Sequence, residues 1–398
     1  MPGIQLSEPT PATTQGWRPF ALGFRPFFLS AGLSALLLMG VWLILWHAGF
    51  SAEWYYGRIG WHTHEMLFGF AVAVVAGFLL TAVPNWTGVA TPIGGWLAAL
   101  AGVWLAGRLL PWFPATPPLL LALVDLAFLP LLLLALLRPL WRGRNRVNLV
   151  FIGLIGLMIL ANLLIHGDAL GYWSEGAWRG TQLMLDSLLL ILVFVAGRVM
   201  PFFVERAVVG ATPRIYKPLE WAGYTLFGAL IVAHLLAVSP KVAAILALLL
   251  GVVQAVRLAN WWHPGILRIP ILWVLFAGYL WLVLGLLALA AAHWGWLPRT
   301  SANHLLTVGA VGILTLGMMA RVGLGHTGRT MRSATGMTVA FVLLNSAVVV
   351  RVFGPLLHAP WWWIWYTLSG LLWIVAFALF LWIYTPILLR PRVDGQPG

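Results

Sequence analysis

Two imidazoles, a carboxylate and a thioether fall within five residues at His62-Thr63-His64-Glu65-Met66. Neutral imidazole is a common ligand of first-row transition metals, and a neighbouring carboxylate either joins it or orients its ring. Residues two apart on an ideal helix point about 200° away from each other. His62 and His64 therefore serve different sites, unless the first turn is irregular and both reach one ion. A second block runs from Asn303-His304 through Thr307, Gly309, Gly312, Thr315, Gly317, Met318 and Met319 to Arg321, then to Gly325-His326. His304 and His326 are 22 residues apart, about 33 Å along a helix, so they cannot share one iron or copper ion. The small residues between them permit close approach by a neighbouring helix or by a flat macrocycle such as haem. Asn162 and His166 lie close together in another apolar run, and Glu65, Asp125 and Asp186 are acids in apolar surroundings. Acids held away from water are candidate proton carriers, and Asp186 and Glu65 are the candidate catalytic residues here. Gly197-Arg198-Val199-Met200-Pro201-Phe202-Phe203 closes a further run. Its Arg198 either anchors the helix end or pairs a haem propionate, and Arg321 is a second candidate cofactor-binding cation.

These residues are set in an unusual chain. Its 398 residues are 62% hydrophobic and 8% charged, with a mean hydropathy of +0.94. That composition predicts an all-α integral membrane protein. Apolar runs of roughly twenty residues recur along the chain. About twelve transmembrane helices are expected, near 26–47, 62–83, 92–111, 117–138, 147–166, 179–200, 217–238, 241–260, 270–292, 302–321, 335–354 and 361–388. Residues 1–25 form an N-terminal arm, 26–388 one polytopic domain without a clear internal repeat, and 389–398 a C-terminal tail. With both termini cytoplasmic, seventeen Lys and Arg residues fall inside and six outside, the latter being Arg58, Arg108, Arg179, Lys241, Arg299 and Arg351. This is the positive-inside pattern, and it accounts for a net charge of +13 without nucleic acid, because the basic loops face anionic headgroups. On this topology His62, His64, His166 and His304 share the outer side, where a metal site is expected, and His326 is cytoplasmic. The sequence has no cysteine, which excludes disulfides, iron–sulfur clusters and thioether-linked haem. Any metal must rely mainly on histidine, and the 25 tryptophans read as interface anchors.

The chain resembles the NnrS family of bacterial inner-membrane proteins linked to nitric oxide and denitrification. The resemblance rests on WHTHEMLFGF at 61–70 continuing through GFLLTAVPNWTG at 77–88, on GRVMPFF at 197–203, on HLLTVGAVG through ARVGLGHTGR at 304–329, and on RPFF at 25–28. It implies a protein with non-covalent b-type haem and copper, acting in the response to nitrosative stress. His62, His64, His304 and His326 are the matching motif histidines, and His166 is a weaker carry-over. Binding nitric oxide, or reducing it as a reductase-type enzyme, would take place within the lipid bilayer. Reduction would need an external donor, either a quinol or a periplasmic redox protein. A secondary transporter is the alternative, as is a non-catalytic haem or metal handling protein.

Overall fold

The computed structural model describes residues 16–49 and 55–396. Among them are twelve long helices. In chain order they are α1 Phe24–Ala48, α2 Gly57–Thr87, α3 Gly94–Leu109, α4 Pro118–Arg142, α5 Val150–Ala169 and α6 Gly176–Ala207. Then follow α7 Lys217–Leu235, α8 Pro240–Trp261, α9 Pro270–His293, α10 Arg299–Gly325, α11 Thr335–Leu357 and α12 Trp362–Leu389. Proline opens α4, α8 and α9, where a missing N–H costs nothing. Ten of the twelve are long and apolar enough to cross a membrane, all but α3 and α7, so the protein is a multi-pass membrane protein. The expected span at 92–111 is shortened because Pro111 turns the chain into a 3-10 segment at Leu110–Trp112. That at 217–238 is diluted at its start by Lys217 and Glu220.

Although no repeat is evident in the sequence, the structure contains one. The helices fall into three successive arcs of four, α1–α4, α5–α8 and α9–α12. The last helix of each arc packs on the first of the next: α4 on α5, α8 on α9, and α12 on α1. The second helix of each arc, α2, α6 or α10, is largely buried, and the π-helical stretches of α2 and α10 both pack on α6. Each of these inner helices carries a polar residue near its start, His64, Asp186 or His304, placed 24 residues before a glycine with positive φ. Those glycines, Gly88, Gly210 and Gly328, have φ of 71°, 78° and 73°, a conformation that side chains with a Cβ resist. In α2 and α10 the likeness extends further. His64 and His304 each end a short α-helical stretch, and π-helix follows at Glu65–Ala71 and Leu305–Gly312. Thr87 and Thr327 each donate a hydroxyl proton to the carbonyl four residues back.

Buried arginines also hold the bundle together. Arg25 is buried and donates Nη1 to the carbonyls of Leu388 and Arg390, fastening α1 to the end of α12. Arg257 of α8, fully buried, grips Glu220 of α7 with two hydrogen bonds of 2.8 and 2.6 Å, and also reaches Gln254 and Tyr279. The glycine face of α10 is filled by protein. A Cβ on Gly309 would meet Trp281 at 2.7 Å, one on Gly312 would meet Trp373 at 2.7 Å, and one on Gly317 would meet Leu275 at 2.8 Å. The close-approaching partners are neighbouring helices, and this face offers no slot for a macrocycle.

Candidate metal centre

All three arcs place polar clusters at the same end of the bundle, where the odd-numbered helices finish and the even-numbered ones begin. The most completely buried cluster joins α2 to α3, α4 and α5. His64 is held between two rings, Tyr56 stacked at 4.2 Å and Phe68 at 4.7 Å, so its plane is fixed. Its Nε2 lies 3.3 Å from Asp125 Oδ2 and 3.2 Å from Asn162 Oδ1, and its Nδ1 lies 3.4 Å from Glu65 Oε1. His166 Nε2 lies 2.9 Å from the same Asp125 Oδ2 and its Nδ1 lies 2.9 Å from the Tyr55 hydroxyl, so the tautomer with the proton on Nδ1, given to the phenol oxygen, leaves Nε2 free for an ion. Asn162 donates to Asp125 Oδ2 as well, at 2.9 Å. Burial pushes the phenol of Tyr55 above its ordinary value, so it stays protonated and neutral.

Arg108 of α3 ties the carboxylates together, donating to Glu65 Oε1 at 3.0 Å and forming an ion pair with Asp125. Glu65, Arg108, Asp125, His64 and His166 are all below a tenth exposed. Two carboxylates, Glu65 and Asp125, meet one guanidinium and two imidazoles here. A buried carboxylate is costly without a partner, and a bound cation would be one such partner. Ligand atoms of His64, Asp125 and His166 all lie within 4.8 Å of one another. Two imidazoles and a carboxylate suit borderline first-row ions such as copper, iron and zinc. Tyr55 and Asn162 supply the outer hydrogen bonds that hold such ligands in orientation. Glu65 Oε2 has no hydrogen-bond partner among the described residues. A cavity of about 10 Å³ beside Arg108, Asp125 and Asn162 has room for a single water.

His62 does not share this centre. Two residues earlier on a regular α-helical turn, it points elsewhere and stacks on Trp42 of α1 at 4.2 Å. There it comes within electrostatic range of His304 and Arg351, from α10 and α11. His304 gives its Nδ1 proton to the Thr300 carbonyl at 2.7 Å, which leaves Nε2 as the available donor atom. Arg351 lies over the Tyr366 ring at 3.5 Å and has no carboxylate within ion-pair distance among the described residues. Asp186 is separate again, accepting from His234 and from Gln182.

The remaining expected residues lie toward the opposite end. His326 packs on Phe24, and Arg392 donates to its carbonyl at 3.1 Å. Burial, with Arg392 nearby, holds its imidazole below the ordinary value and therefore neutral. Arg198 donates to Asn148 at 2.7 Å and lies over Trp86, and Arg321 lies over the Phe203 ring. Local spacing could not have found Arg108, because its partners are on other helices. One signal was available. Arg108, Arg299 and Arg351 are three of the six basic residues on the sparsely charged side, and each stands beside one of the three clusters.

A protein-family model described as "NnrS protein" matches residues 18–392. No curated protein matches the sequence.

Proposed function

Because the chain belongs to the NnrS family, we propose that it is a metal-binding protein of the bacterial inner membrane that acts in the response to nitric oxide, binding the gas at the His64–Asp125–His166 centre. The observation that carries this reading is the convergence of ligand atoms from His64, Asp125 and His166, all buried and within 4.8 Å of one another. Copper fits that donor set, with His64 and His166 supplying nitrogen and Asp125 oxygen, and when bound it would supply an open coordination position for a diatomic ligand. Nitric oxide is small and nearly apolar, and it reaches such a site through lipid. The positive-inside pattern puts both termini in the cytoplasm and this centre toward the periplasm.

If the gas is reduced as well as bound, Glu65 is the nearest proton carrier, with its unpartnered Oε2 beside the centre. Electrons would come from a quinol or a periplasmic donor. Asp186 belongs to a different cluster, so any proton it carries serves that cluster. Haem finds a less complete setting. The glycine face of α10 is filled, and His62 and His304 lie near Arg351, a cation over the Tyr366 ring that has no carboxylate within ion-pair distance among the described residues and would suit a propionate. No step here depends on haem.

The test is metal analysis and oxidised and dithionite-reduced visible spectra of the detergent-purified protein, followed by nitric oxide titration. Wild type is compared with His64→Ala, His166→Ala, Asp125→Asn, His62→Ala and His304→Ala. Loss of one copper ion and of the nitric oxide response in the first three variants supports the centre. Wild-type copper content in all three would sink it, and a Soret band lost in the last two would assign haem to the second group.

A further inference from the structure

We propose that His234 and His293, with Asp186 orienting His234, form a second metal site, which holds a divalent ion of the copper or zinc type between the two facing imidazoles. His234, near the end of α7, and His293, at the end of α9, approach with their Nε2 atoms 3.3 Å apart and their ring planes 25° apart. Asp186 Oδ2 accepts the Nδ1 proton of His234 at 2.7 Å. That bond fixes the tautomer, and it leaves the Nε2 lone pair of His234 directed at His293. With His293 protonated on Nδ1, its Nε2 lone pair faces that of His234 across the 3.3 Å gap.

The spacing matches a shared ion. At the 2.0–2.1 Å typical of imidazole on zinc, an ion equidistant from nitrogens 3.3 Å apart subtends roughly 107°, close to the tetrahedral angle. The pair is also supported in the manner of a ligand set. Asp186 Oδ1 accepts from Gln182 Nε2 at 3.0 Å, and Gln182 Oε1 accepts from Arg299 at 2.8 Å, so the carboxylate that orients His234 is itself oriented. Asp186 and His234 are buried, whereas His293 is half-buried at the helix end and gives an ion an entry route. The threefold repeat gives independent support. Asp186 occupies the position of His64, and His293 ends the first helix of its arc as His166 nearly does. The two sites share no residue, and neither depends on the other.

The full-length protein in detergent, stripped with a chelator, is titrated with Cu(II), with bound metal counted after gel filtration and Cu(II) electron paramagnetic resonance recorded. His293→Gln and His234→Gln are expected to bind one ion fewer than wild type, and the spectrum of the lost ion should differ from that lost in a His64→Gln/His166→Gln variant. Asp186→Asn keeps both imidazoles and should weaken the same ion about 10–100-fold. His293 is only half-buried, so its variant is the one that retains the fold, as a thermal melt checks. Wild-type stoichiometry and spectrum in both His234→Gln and His293→Gln would overturn the proposal, and would mean that the pair shares a proton. That result leaves the His64 centre standing; loss of copper only from the 234/293 variants would do the reverse.

Discussion

At the scale of single residues, the chemistry of the main centre rests on side chains that do not themselves touch an ion. Asn162 and Tyr55 direct Asp125 and His166, and removing such outer partners typically lowers metal affinity about 10–100-fold. Asn162→Leu and Tyr55→Phe are therefore expected to keep the ligands yet weaken copper binding by that range in a competition titration; unchanged affinity in both would remove them from the site. Arg108→Gln should act through charge. It leaves Glu65 and Asp125 without their guanidinium, so the variant should need bound metal to remain folded, and its melting temperature should respond to chelator more than that of wild type. His62 and His64 face different neighbours, Trp42 and Asp125, as the opposed directions of residues two apart on a helix require. What each faces was not legible, because Trp42 and Asp125 come from helices distant in sequence.

At the scale of elements, the sequence blocks divide into those that carry chemistry and those that let helices meet. Gly197 belongs to the second kind. A Cβ there would press on Arg257 and stand 2.7 Å from Glu220 Oε2, directly against the buried ion pair between α7 and α8. Gly197→Ala should lower thermal stability in detergent without changing metal content. Glu220→Gln should be worse, because it leaves a buried guanidinium uncompensated, a loss of about 3–5 kcal/mol. The two π-helical stretches lie at the histidine motifs of α2 and α10, in keeping with the frequent placement of such segments at functional sites. They were not foreseeable from composition, since a π turn depends on what packs against the widened helix.

At the scale of the whole molecule, the absence of cysteine makes topology directly testable. A cysteine placed at Ser174, between α5 and α6, should react with a membrane-impermeant maleimide added outside intact cells, and one at Asn145, between α4 and α5, should not; the opposite pattern would invert the orientation. Sequence alone determined the membrane setting and the near-continuous run of helices. Both follow from local composition, because a run of about twenty apolar residues satisfies its own backbone in hydrocarbon as a helix. The tertiary structure alone decided which polar residues meet. The three arcs, the closure of the glycine face of α10 by Trp281, Trp373 and Leu275, and the grouping of His64 with Asp125 and His166 or of Asp186 with His234 and His293 all arise between helices far apart in the chain. Such contacts are fixed by how buried faces pack and by which charges must be paired away from water, and neither leaves a periodic mark on the sequence of any one helix.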